Sequence, residues 1–425
     1  MKVVKRDGRT VIFNLEKISS ALSKAFYEVD GEITEASKKI IDNIVKEISN
    51  TKKENLTVEY IQDMVEEKLM RSFRKDVAKA YIIYRNNRTK IREQKSLFTK
   101  EISDKLFAKN IENQNANVDE GSFGGRMGAV TSVVTKNYAL NNCMSDMAKN
   151  NHLNNEIYIH DLDHYAVGDH NCLSIPFDKL LANGFNTRQT DVRPAQSVST
   201  AFQLVAVIFQ LQSLQQFGGV SATHLDWTMI PYVRKSFRKH IKDGLKYVEK
   251  LSDYKIKRFF KYFNDEDIVF NCHKEILEYH KEAYDYALDM TKKETYQAVE
   301  GMYHNLNTLQ SRSGNQLPFT SINYGTCTEP EGRMIIKALL EVSIKGIGKL
   351  HKTSIFPCSI FQLMKGVNRK KGDPNYDLFQ LALKSTSLRL YPNYANVDWS
   401  GNNGYDINDP QTYFSTMGKR KLQPI

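Results

Sequence analysis

The segment Pro318-Phe319-Thr320-Ser321-Ile322-Asn323-Tyr324-Gly325 predicts a β-strand, because β-branched and aromatic residues run up to a terminating glycine. Ser354-Ile355-Phe356-Pro357-Cys358 and Ile157-Tyr158-Ile159-His160 predict further strands on either side of it in the chain. Residues 200–217 carry apolar side chains at helical spacing and predict a buried helix. Strands that alternate with helices indicate an α/β fold, and this pattern leaves open whether the sheet is a barrel or an open sheet.

The first 92 residues predict a separate, mainly helical unit that begins with a β-hairpin. Two β-prone runs, Val3-Val4-Lys5 and Thr10-Val11-Ile12-Phe13, flank an Asp7-Gly8 pair, which is a strong hairpin-turn signal. Four amphipathic helices follow, and Asn14 and Thr57 are suited to cap the first and the third. The first helix is predicted to bury one face, formed by Ile18, Leu22, Ala25 and Phe26.

Composition narrows the class of protein. The chain has 425 residues, of which 41% are hydrophobic and 26% charged, and these values exclude a disordered or fibrous chain. It has no run of about eighteen apolar residues, and its N-terminus lacks the apolar core of a signal peptide. We therefore expect a cytoplasmic protein without a membrane span. The net charge of +11 favours anionic partners, either nucleotides or nucleic acid, but no nucleic-acid-binding motif accompanies it.

Five scattered cysteines without a Cys-x-x-Cys pair argue against a disulfide framework or a zinc knuckle, so a working cysteine is expected to act as a thiol. Cys172 follows the stretch Ile159-His160-Asp161-Leu162-Asp163-His164, which is compatible with a metal site and also with ordinary turn chemistry. Cys358 stands among strand hydrophobes, where an inert buried cysteine is common. The residues alone leave these alternatives open.

The basic pair beside the first turn is a candidate phosphate cradle, although an exposed hairpin tip is the alternative. Val4-Lys5-Arg6-Asp7-Gly8-Arg9 and Asn14-Leu15-Glu16-Lys17-Ile18 resemble the opening of an ATP-cone. In that family the module binds ATP or dATP as an allosteric effector and regulates ribonucleotide reductases. The resemblance covers residues 1–92 and implies that the nucleotide contacts Lys5, Arg6, Asn14, Lys17 and Arg88.

Several later blocks resemble the anaerobic, class III ribonucleoside-triphosphate reductases. They are His160-Asp161-Leu162-Asp163 with Asn171-Cys172, Ser354–Phe361, Lys370–Asp377 and Arg389–Asn393. The resemblance implies a linker over residues 93–120 and, over residues 121–425, the first part of a ten-stranded α/β barrel of the glycyl-radical-enzyme type. It also implies that these histidines and aspartates hold no metal. The implied activity is the reduction of ribonucleoside triphosphates to deoxyribonucleoside triphosphates by thiyl-radical chemistry.

The resemblance also implies roles for individual residues. Cys172, on the first barrel strand, corresponds to a redox thiol that works on the substrate ribose. Ser385 stands where many members carry the thiyl-radical cysteine, at the tip of a finger loop, and a serine O–H bond is too strong to replace it. Cys358 is then the best candidate for the thiyl cysteine. Asn323 is placed like a residue that lines the substrate site, and could equally be a buried, satisfied amide.

Cofactors and partners follow from the same resemblance. It implies a glycyl radical made by a radical-SAM iron–sulfur activase, formate or a dithiol as reductant, and a homodimer. In the family order the glycyl-radical loop and the zinc cysteines come after the position of Gly418-Lys419-Arg420-Lys421. We therefore expect this chain to be inactive by itself, either as one piece of a split enzyme that needs a separate C-terminal polypeptide or as a product truncated by an inserted intron, intein or frameshift. The alternatives are a nucleotide-sensing protein in which only the ATP-cone works, and a nucleic-acid-binding protein that the charge alone suggests.

Overall fold

The computed structural model describes residues 2–6, 9–51, 55–107, 122–168, 170–216, 218–312, 316–399 and 405–416. The chain divides into two compact units, Met1–Asp104 and Lys105–Ile425. The Asp7-Gly8 turn, the polar stretch around residues 112–117 and the Gly418–Lys421 stretch lie outside the described residues. No helix within the described ranges has the length and apolar character needed to cross a membrane.

The first unit combines a small sheet with four helices. Its elements are β1 (Lys2–Val4), β2 (Thr10–Ile12), α1 (Glu16–Asp30), α2 (Glu35–Ser49), β3 (Asn55–Thr57), α3 (Val58–Arg71) and α4 (Lys75–Leu106). β1 pairs antiparallel with β2, as the predicted hairpin requires, and pairs parallel with β3 on its other side. The hairpin and the helices are confirmed, whereas β3 was not predicted. α4 continues through residue 92, so the boundary proposed there stays a prediction.

Local signals in the sequence account for these helices. The Thr57 side chain accepts a hydrogen bond from the Tyr60 amide at 3.2 Å and caps α3, as predicted. Gly31 ends α1 with φ near +72°, a conformation that glycine adopts without steric cost. The predicted apolar face of α1 is buried: Ile18, Leu22, Ala25 and Phe26. These side chains form one core with apolar residues of the other helices and of β1.

The second unit is larger and alternates helices with short strands. Its elements are α5 (Phe123–Asn142), α6 (Asp146–Leu153), β4 (Leu173–Ser174), α7 (Phe177–Asn183), β5 (Phe185–Asn186), β6 (Asp191–Val192), α8 (Val198–Ser213), β7 (Val220–Ala222), α9 (Leu225–Thr228), α10 (Ile230–Asp243), α11 (Asp253–Tyr262), α12 (Lys274–Tyr279), α13 (Lys281–Thr308), β8 (Thr320–Tyr324), α14 (Pro330–Lys345), β9 (Cys358–Leu363), α15 (Tyr376–Arg389) and β10 (Asn393–Asn396). A π-helical turn spans Gly244–Val248 and a 3-10 turn spans Pro410–Thr412.

A five-stranded sheet organises this unit. Its strand order is β10-β9-β8-β7-β4, and every adjacent pair is parallel. Parallel neighbours in chain order require crossover connections, which the intervening helices supply. The predicted α/β class, with a helical unit ahead of a parallel sheet, is therefore confirmed. Five strands are also the number that half of a ten-stranded barrel contains.

The two faces of the sheet differ in chemistry. Side chains alternate along each strand, so one face carries Ile322, Tyr324 and Phe361, which belong to the apolar core beneath the helices. The opposite face, here called the inner face, carries Ile360 together with five polar or thiol side chains, which are Ser221, Ser321, Asn323, Cys358 and Gln362. All six of these residues are buried, so the polar groups on this face are largely shielded from solvent.

Two strand predictions need correction. Ile157–His160 is not a strand; its chain passes through turns, and the Ile159 amide donates to the His152 ring at 3.3 Å instead of to a neighbouring strand. The strand predicted at Ser354–Cys358 begins only at Cys358. Ahead of it, the amides of Ile355 and Phe356 donate to the Asn307 side chain at 2.8 and 3.1 Å, so they are not available to a sheet.

Candidate functional site

The first unit contains a cavity of about 500 Å³ beside the hairpin. Four of the five predicted nucleotide contacts line it: Lys5, Arg6, Asn14 and Lys17. Arg88 does not line it; its guanidinium lies over the Tyr84 ring, 6.0 Å from the centroid. Arg92, one turn later on α4, lines the cavity instead. The rest of the wall is mostly apolar, with side chains from the hairpin, α1 and α3, so the cavity combines an apolar wall with basic residues.

Arg6 is held by two side chains of α3. Its Nε donates to a carboxylate oxygen of Glu59, and its Nη2 donates to Gln62 Oε1 at 2.9 Å. The second oxygen of Glu59 accepts from Arg85 at 2.8 Å. The hydrogen bonds from Arg6 and then from Arg85 lower the pKa of Glu59 below its ordinary value, which keeps it ionised. Sequence reasoning missed Glu59 and Gln62; their i, i+3 spacing on a helix was the available signal.

Asn14 serves both the helix and the cavity. Its side-chain oxygen accepts from the Glu16 amide at 2.8 Å, where the chain enters α1. The N-cap residue of α1 is Leu15, so the prediction that Asn14 occupies this position is wrong by one residue; the Asn14 side chain forms a short turn just ahead of the helix instead. Because that oxygen is used, the amide NH₂ is the part of Asn14 with donors to offer a ligand.

Two of the three predicted catalytic residues of the second unit lie on the inner face. Cys358 opens β9 and pairs in register with Ser321 of β8. Asn323 follows Ser321 by two residues, so its side chain lies on the same side of the sheet. The Cys358 sulfur lies 3.6 Å from the Tyr391 hydroxyl. Burial, with a contribution from Cys358, raises the pKa of Tyr391 well above its ordinary value, so its phenol stays protonated and can donate to sulfur.

Cys172 lies at the other end of the sheet, just ahead of β4. It is buried, and its sulfur accepts from the Gly219 amide at 3.4 Å. β7 and β8 separate β4 from β9, which corresponds to roughly 14 Å across three strand spacings in a flat sheet. The two cysteines thus belong to strands of one sheet that are not direct neighbours.

Asn323 makes its hydrogen bonds within the chain. Its Nδ2 donates to Ala222 O at 3.0 Å and to Thr416 O at 2.9 Å, and its Oδ1 accepts from the Thr416 amide at 3.1 Å. Gln362 of β9 donates to Phe414 O at 2.9 Å. Residues 405–416, here called the closing segment, thus bond to inner-face side chains of β8 and β9. Of the two readings of Asn323, the structure displays the buried, satisfied amide.

A buried carboxylate that the sequence reasoning missed organises the loop after β8. Asp226 is fully buried and accepts from the backbone amides of Trp227 at 3.1 Å, Gly325 at 2.9 Å and Cys327 at 3.0 Å. Burial raises the pKa of Asp226, although these hydrogen bonds act in the opposite direction. The side chain therefore ties α9 to the carboxyl end of β8.

The histidine and aspartate stretch before Cys172 forms local contacts. The His160 ring lies 2.6 Å from the Asp161 carboxylate, and Asp163 accepts from Ser132 Oγ at 2.7 Å. Among the residues that the structure describes, no three His, Cys, Asp or Glu side chains cluster as a metal site would need. The His160 and Asp163 side chains thus make turn and packing contacts, and the absence of a metal at this stretch stays a prediction.

Ser385 does not lie at the tip of a loop, and that expectation was wrong. It lies within α15, fully buried. Burial on a helix explains why a small side chain occupies the position, since a larger one would crowd the neighbouring helices.

Comparisons with known proteins bear on both units. The family model described as "Anaerobic ribonucleoside-triphosphate reductase" matches residues 114–421, and the "ATP cone domain" model matches residues 1–90. The chain is 32% identical over 399 residues to the anaerobic ribonucleoside-triphosphate reductase of Haemophilus influenzae, covering 93% of this chain and 52% of that protein. The Escherichia coli enzyme is 30% identical over 399 residues, covering 93% and 51%.

A solved structure is also similar. The anaerobic ribonucleotide reductase from Thermotoga maritima, in complex with dATP and CTP, aligns at a TM-score of 0.44 and 14% identity. That alignment covers 72% of this chain and 50% of the other. The chain thus spans about half the length of the curated relatives it matches.

Proposed function

The chain belongs to the family of anaerobic ribonucleoside-triphosphate reductases, and on that premise we propose that it takes part in reducing ribonucleoside triphosphates to deoxyribonucleoside triphosphates. In this proposal residues 1–92 are the ATP-cone, residues 93–120 a linker, and residues 121–425 the first part of the catalytic barrel. The observation that carries it is the inner face, where a thiol lies among buried, uncharged polar side chains. Radical chemistry needs such a face, because water and stray donors quench the reactive sulfur.

Cys358 is proposed as the thiyl cysteine. Its sulfur radical would remove the hydrogen from C3′ of the ribose and return it at the end, since S–H and activated C–H bonds are similar in strength. The 2′-hydroxyl leaves as water and C2′ gains a hydrogen. The two electrons come from formate, which is oxidised to CO₂, or from a dithiol, which is oxidised to a disulfide. We propose Cys172 as the thiol that works from the other side of the ribose.

The spacing of the thiols sets a condition on this scheme. Reacting atoms approach to about 3.5 Å, so the scheme requires both sulfurs to face one ribose, which is closer than the roughly 14 Å that a flat sheet would leave between β4 and β9. Curvature of the strands toward a closed barrel would shorten that separation. Asn323 is proposed to contact the substrate, which requires Thr416 to release its amide.

The cavity of the first unit is proposed as the ATP or dATP effector site. Its support is the placement of Lys5, Arg6, Asn14, Lys17 and Arg92 around one apolar-walled space. Lysine and arginine donors match phosphate oxygens, and the apolar wall suits a purine.

The remaining partners are carried over as part of the proposal. They are a radical-SAM activase that makes a glycyl radical, a second copy of the chain, and a polypeptide that supplies the C-terminal part of the family sequence. Zinc would be held by that part, as the family resemblance implies. A cytoplasmic location is proposed with them.

CTP reduction tests the proposal. The chain is combined with a radical-SAM activase, S-adenosylmethionine, formate and ATP, with and without a polypeptide carrying the C-terminal half of an anaerobic reductase. We expect dCTP in the complemented reaction and none when Cys358→Ser replaces the wild type. If the complemented mixture forms no dCTP while its activase does generate a glycyl radical, the reductase proposal is wrong.

A nucleotide-sensing protein without catalysis is the second candidate, and the cavity itself favours it. It predicts saturable binding of ATP or dATP by the chain alone, together with no dCTP under any complementation.

A further inference from the structure

We propose that Glu59 is a positioning residue of the effector site: it orients the guanidinium of Arg6 toward the phosphates of the bound nucleotide. This inference rests on the proposed effector function of the cavity. The inference gives a residue of α3 a role in phosphate recognition, although α3 lies outside the basic motif of the hairpin.

The contacts of Arg6 show how the orientation arises. Arginine carries five N–H donors in a rigid fork. Glu59 and Gln62 accept from Nε and from Nη2, so α3 fixes one edge of the fork. A guanidinium held on one edge presents the donors of the other edge in a defined direction, and less rotational freedom is lost when an anion binds.

Glu59 lies behind Arg6 and outside the cavity wall. Arg6 and Gln62 line the cavity, whereas Glu59 does not. No aspartate or glutamate is among the described residues that line it, while Lys5, Lys17 and Arg92 join Arg6 there. The carboxylate therefore reaches the ligand only through Arg6. This arrangement favours support of the arginine over competition with phosphate.

Glu59 is itself fixed from the opposite side. Arg85 of α4 donates to it at 2.8 Å, and the same guanidinium contacts Asp63 at 2.7 Å and Glu66 at 2.9 Å. The chain of contacts thus runs from Arg85 through Glu59 to Arg6. Removal of Glu59 leaves Arg85 two carboxylates on α3, so the packing of α3 against α4 should survive the substitution.

The test is a double-mutant cycle on ATP binding by the whole chain, measured by calorimetry. We expect Glu59→Ala to weaken ATP binding about tenfold, as loss of a charge-assisted hydrogen bond does. Glu59→Gln keeps an acceptor for Arg6 and should stay within about twofold of wild type. In an Arg6→Ala background, Glu59→Ala should change the affinity no further, because its effect passes through Arg6.

Glu67→Ala is the matched control, since Glu67 also lies on α3 but pairs with Arg71 and does not line the cavity. Its ATP affinity should equal that of wild type. Thermal melts verify that each variant folds. If Glu59→Ala does not fold, Glu59→Leu, which keeps the bulk without an acceptor, takes its place in the cycle.

The outcomes separate this inference from the proposal beneath it. If wild type binds neither ATP nor dATP, the effector function fails and this inference fails with it. If wild type binds but Glu59→Ala binds equally well or more tightly, only the inference is overturned, and the carboxylate is inert or competes with phosphate. An equal loss in the presence and absence of Arg6 also overturns it, because the effect would then be structural.

Discussion

The cavity of the first unit and the inner face of the second solve opposite electrostatic problems. Around the cavity charged groups are partly exposed; the Arg6 side chain is 38% exposed and forms an ion pair with the carboxylate of Glu59 on α3. On the inner face the polar groups are neutral, and Asn323 and Gln362 are fully buried. Charge near water is inexpensive and attracts an anion reversibly, whereas a buried polar group must be satisfied by the chain.

The contrast suggests where each unit is sensitive to substitution. Changes around the cavity should alter affinity and leave folding intact, because water replaces lost partners. Changes on the inner face or at its loops should alter folding, because no solvent reaches the orphaned groups. The following predictions test that division, from the largest expected effect to the smallest.

Asp226→Ala should destabilise the second unit by about 3–5 kcal/mol, because three buried backbone amides lose their acceptor. Urea denaturation measures the free energy of unfolding. Asp63→Ala in the first unit is the control: Asp63 is 65% exposed, and its loss should cost less than about 1 kcal/mol. Similar losses of unfolding free energy in the two variants would contradict the proposed difference between the first and the second unit.

Asn323→Ala should cost about 2–3 kcal/mol, since it leaves Ala222 O and both backbone groups of Thr416 without their side-chain partner. Urea denaturation measures this loss of unfolding free energy, and Asn141→Ala, a substitution at an exposed asparagine, is the reference. The closing segment should also exchange its amide hydrogens faster in the variant. Unchanged exchange at Thr416 would mean that Asn323 does not hold this segment.

Lys17→Glu should weaken ATP binding about 30-fold, close to 2 kcal/mol, because a phosphate-facing cation becomes an anion. The melting temperature should not change. Lys24→Glu makes the same substitution on the same helix away from the cavity and should bind ATP as wild type does. Equal losses of ATP affinity in the two variants would indicate that long-range electrostatic attraction, and not a defined site, binds the nucleotide.

A pH experiment on His224 should give the smallest effect. Burial lowers the pKa of His224 below its ordinary value of 6.5, although Asp226, Asp178 and Asp409 act in the opposite direction. As the pH falls, the unfolded chain therefore takes up a proton at His224 before the folded chain does. The contribution of the neutral His224 side chain to the free energy of unfolding is complete above pH 6.5 and is lost as the pH falls through the pKa of the folded state. The melting temperature should therefore fall further between about pH 7.5 and pH 5.5 in wild type than in His224→Gln. An equal fall in the two proteins would show that His224 does not contribute to this pH dependence.

Local patterns predicted much of the first unit. The buried stripe of α1, the cap at Thr57 and the hairpin partners depend on residues within one or two turns of each other, so a short window contains the information. Four of the five predicted nucleotide contacts line one cavity for the same reason, since they lie in the hairpin and the first turn of α1. Arg88 does not line the cavity, whereas Arg92, four residues later on the same face of α4, does, so the nucleotide contact of Arg88 stays a prediction.

Contacts between distant segments explain the misses. β3 is only three residues long, and its strand conformation depends on pairing with the edge of β1 that β2 does not occupy. Glu59 meets Arg6 across 53 positions, and Asp226 meets Gly325 across 99, so no local pattern announces either role. Ser385 was assigned to a loop by resemblance, but helix packing placed it in α15.

The sequence by itself determined the alternation of helices and strands, the two-part organisation and the basic residues that line the cavity of the first unit, because periodicity, caps and short motifs are local properties. Only the tertiary structure decided which polar groups are buried together: the Arg85–Glu59–Arg6 chain, the Asp226 anchor and the satisfied amide of Asn323. Burial depends on what the rest of the chain packs against each group, and hydrogen-bond partners follow burial. That dependence is why the charged cavity could be predicted from a motif while the neutral inner face needed the fold.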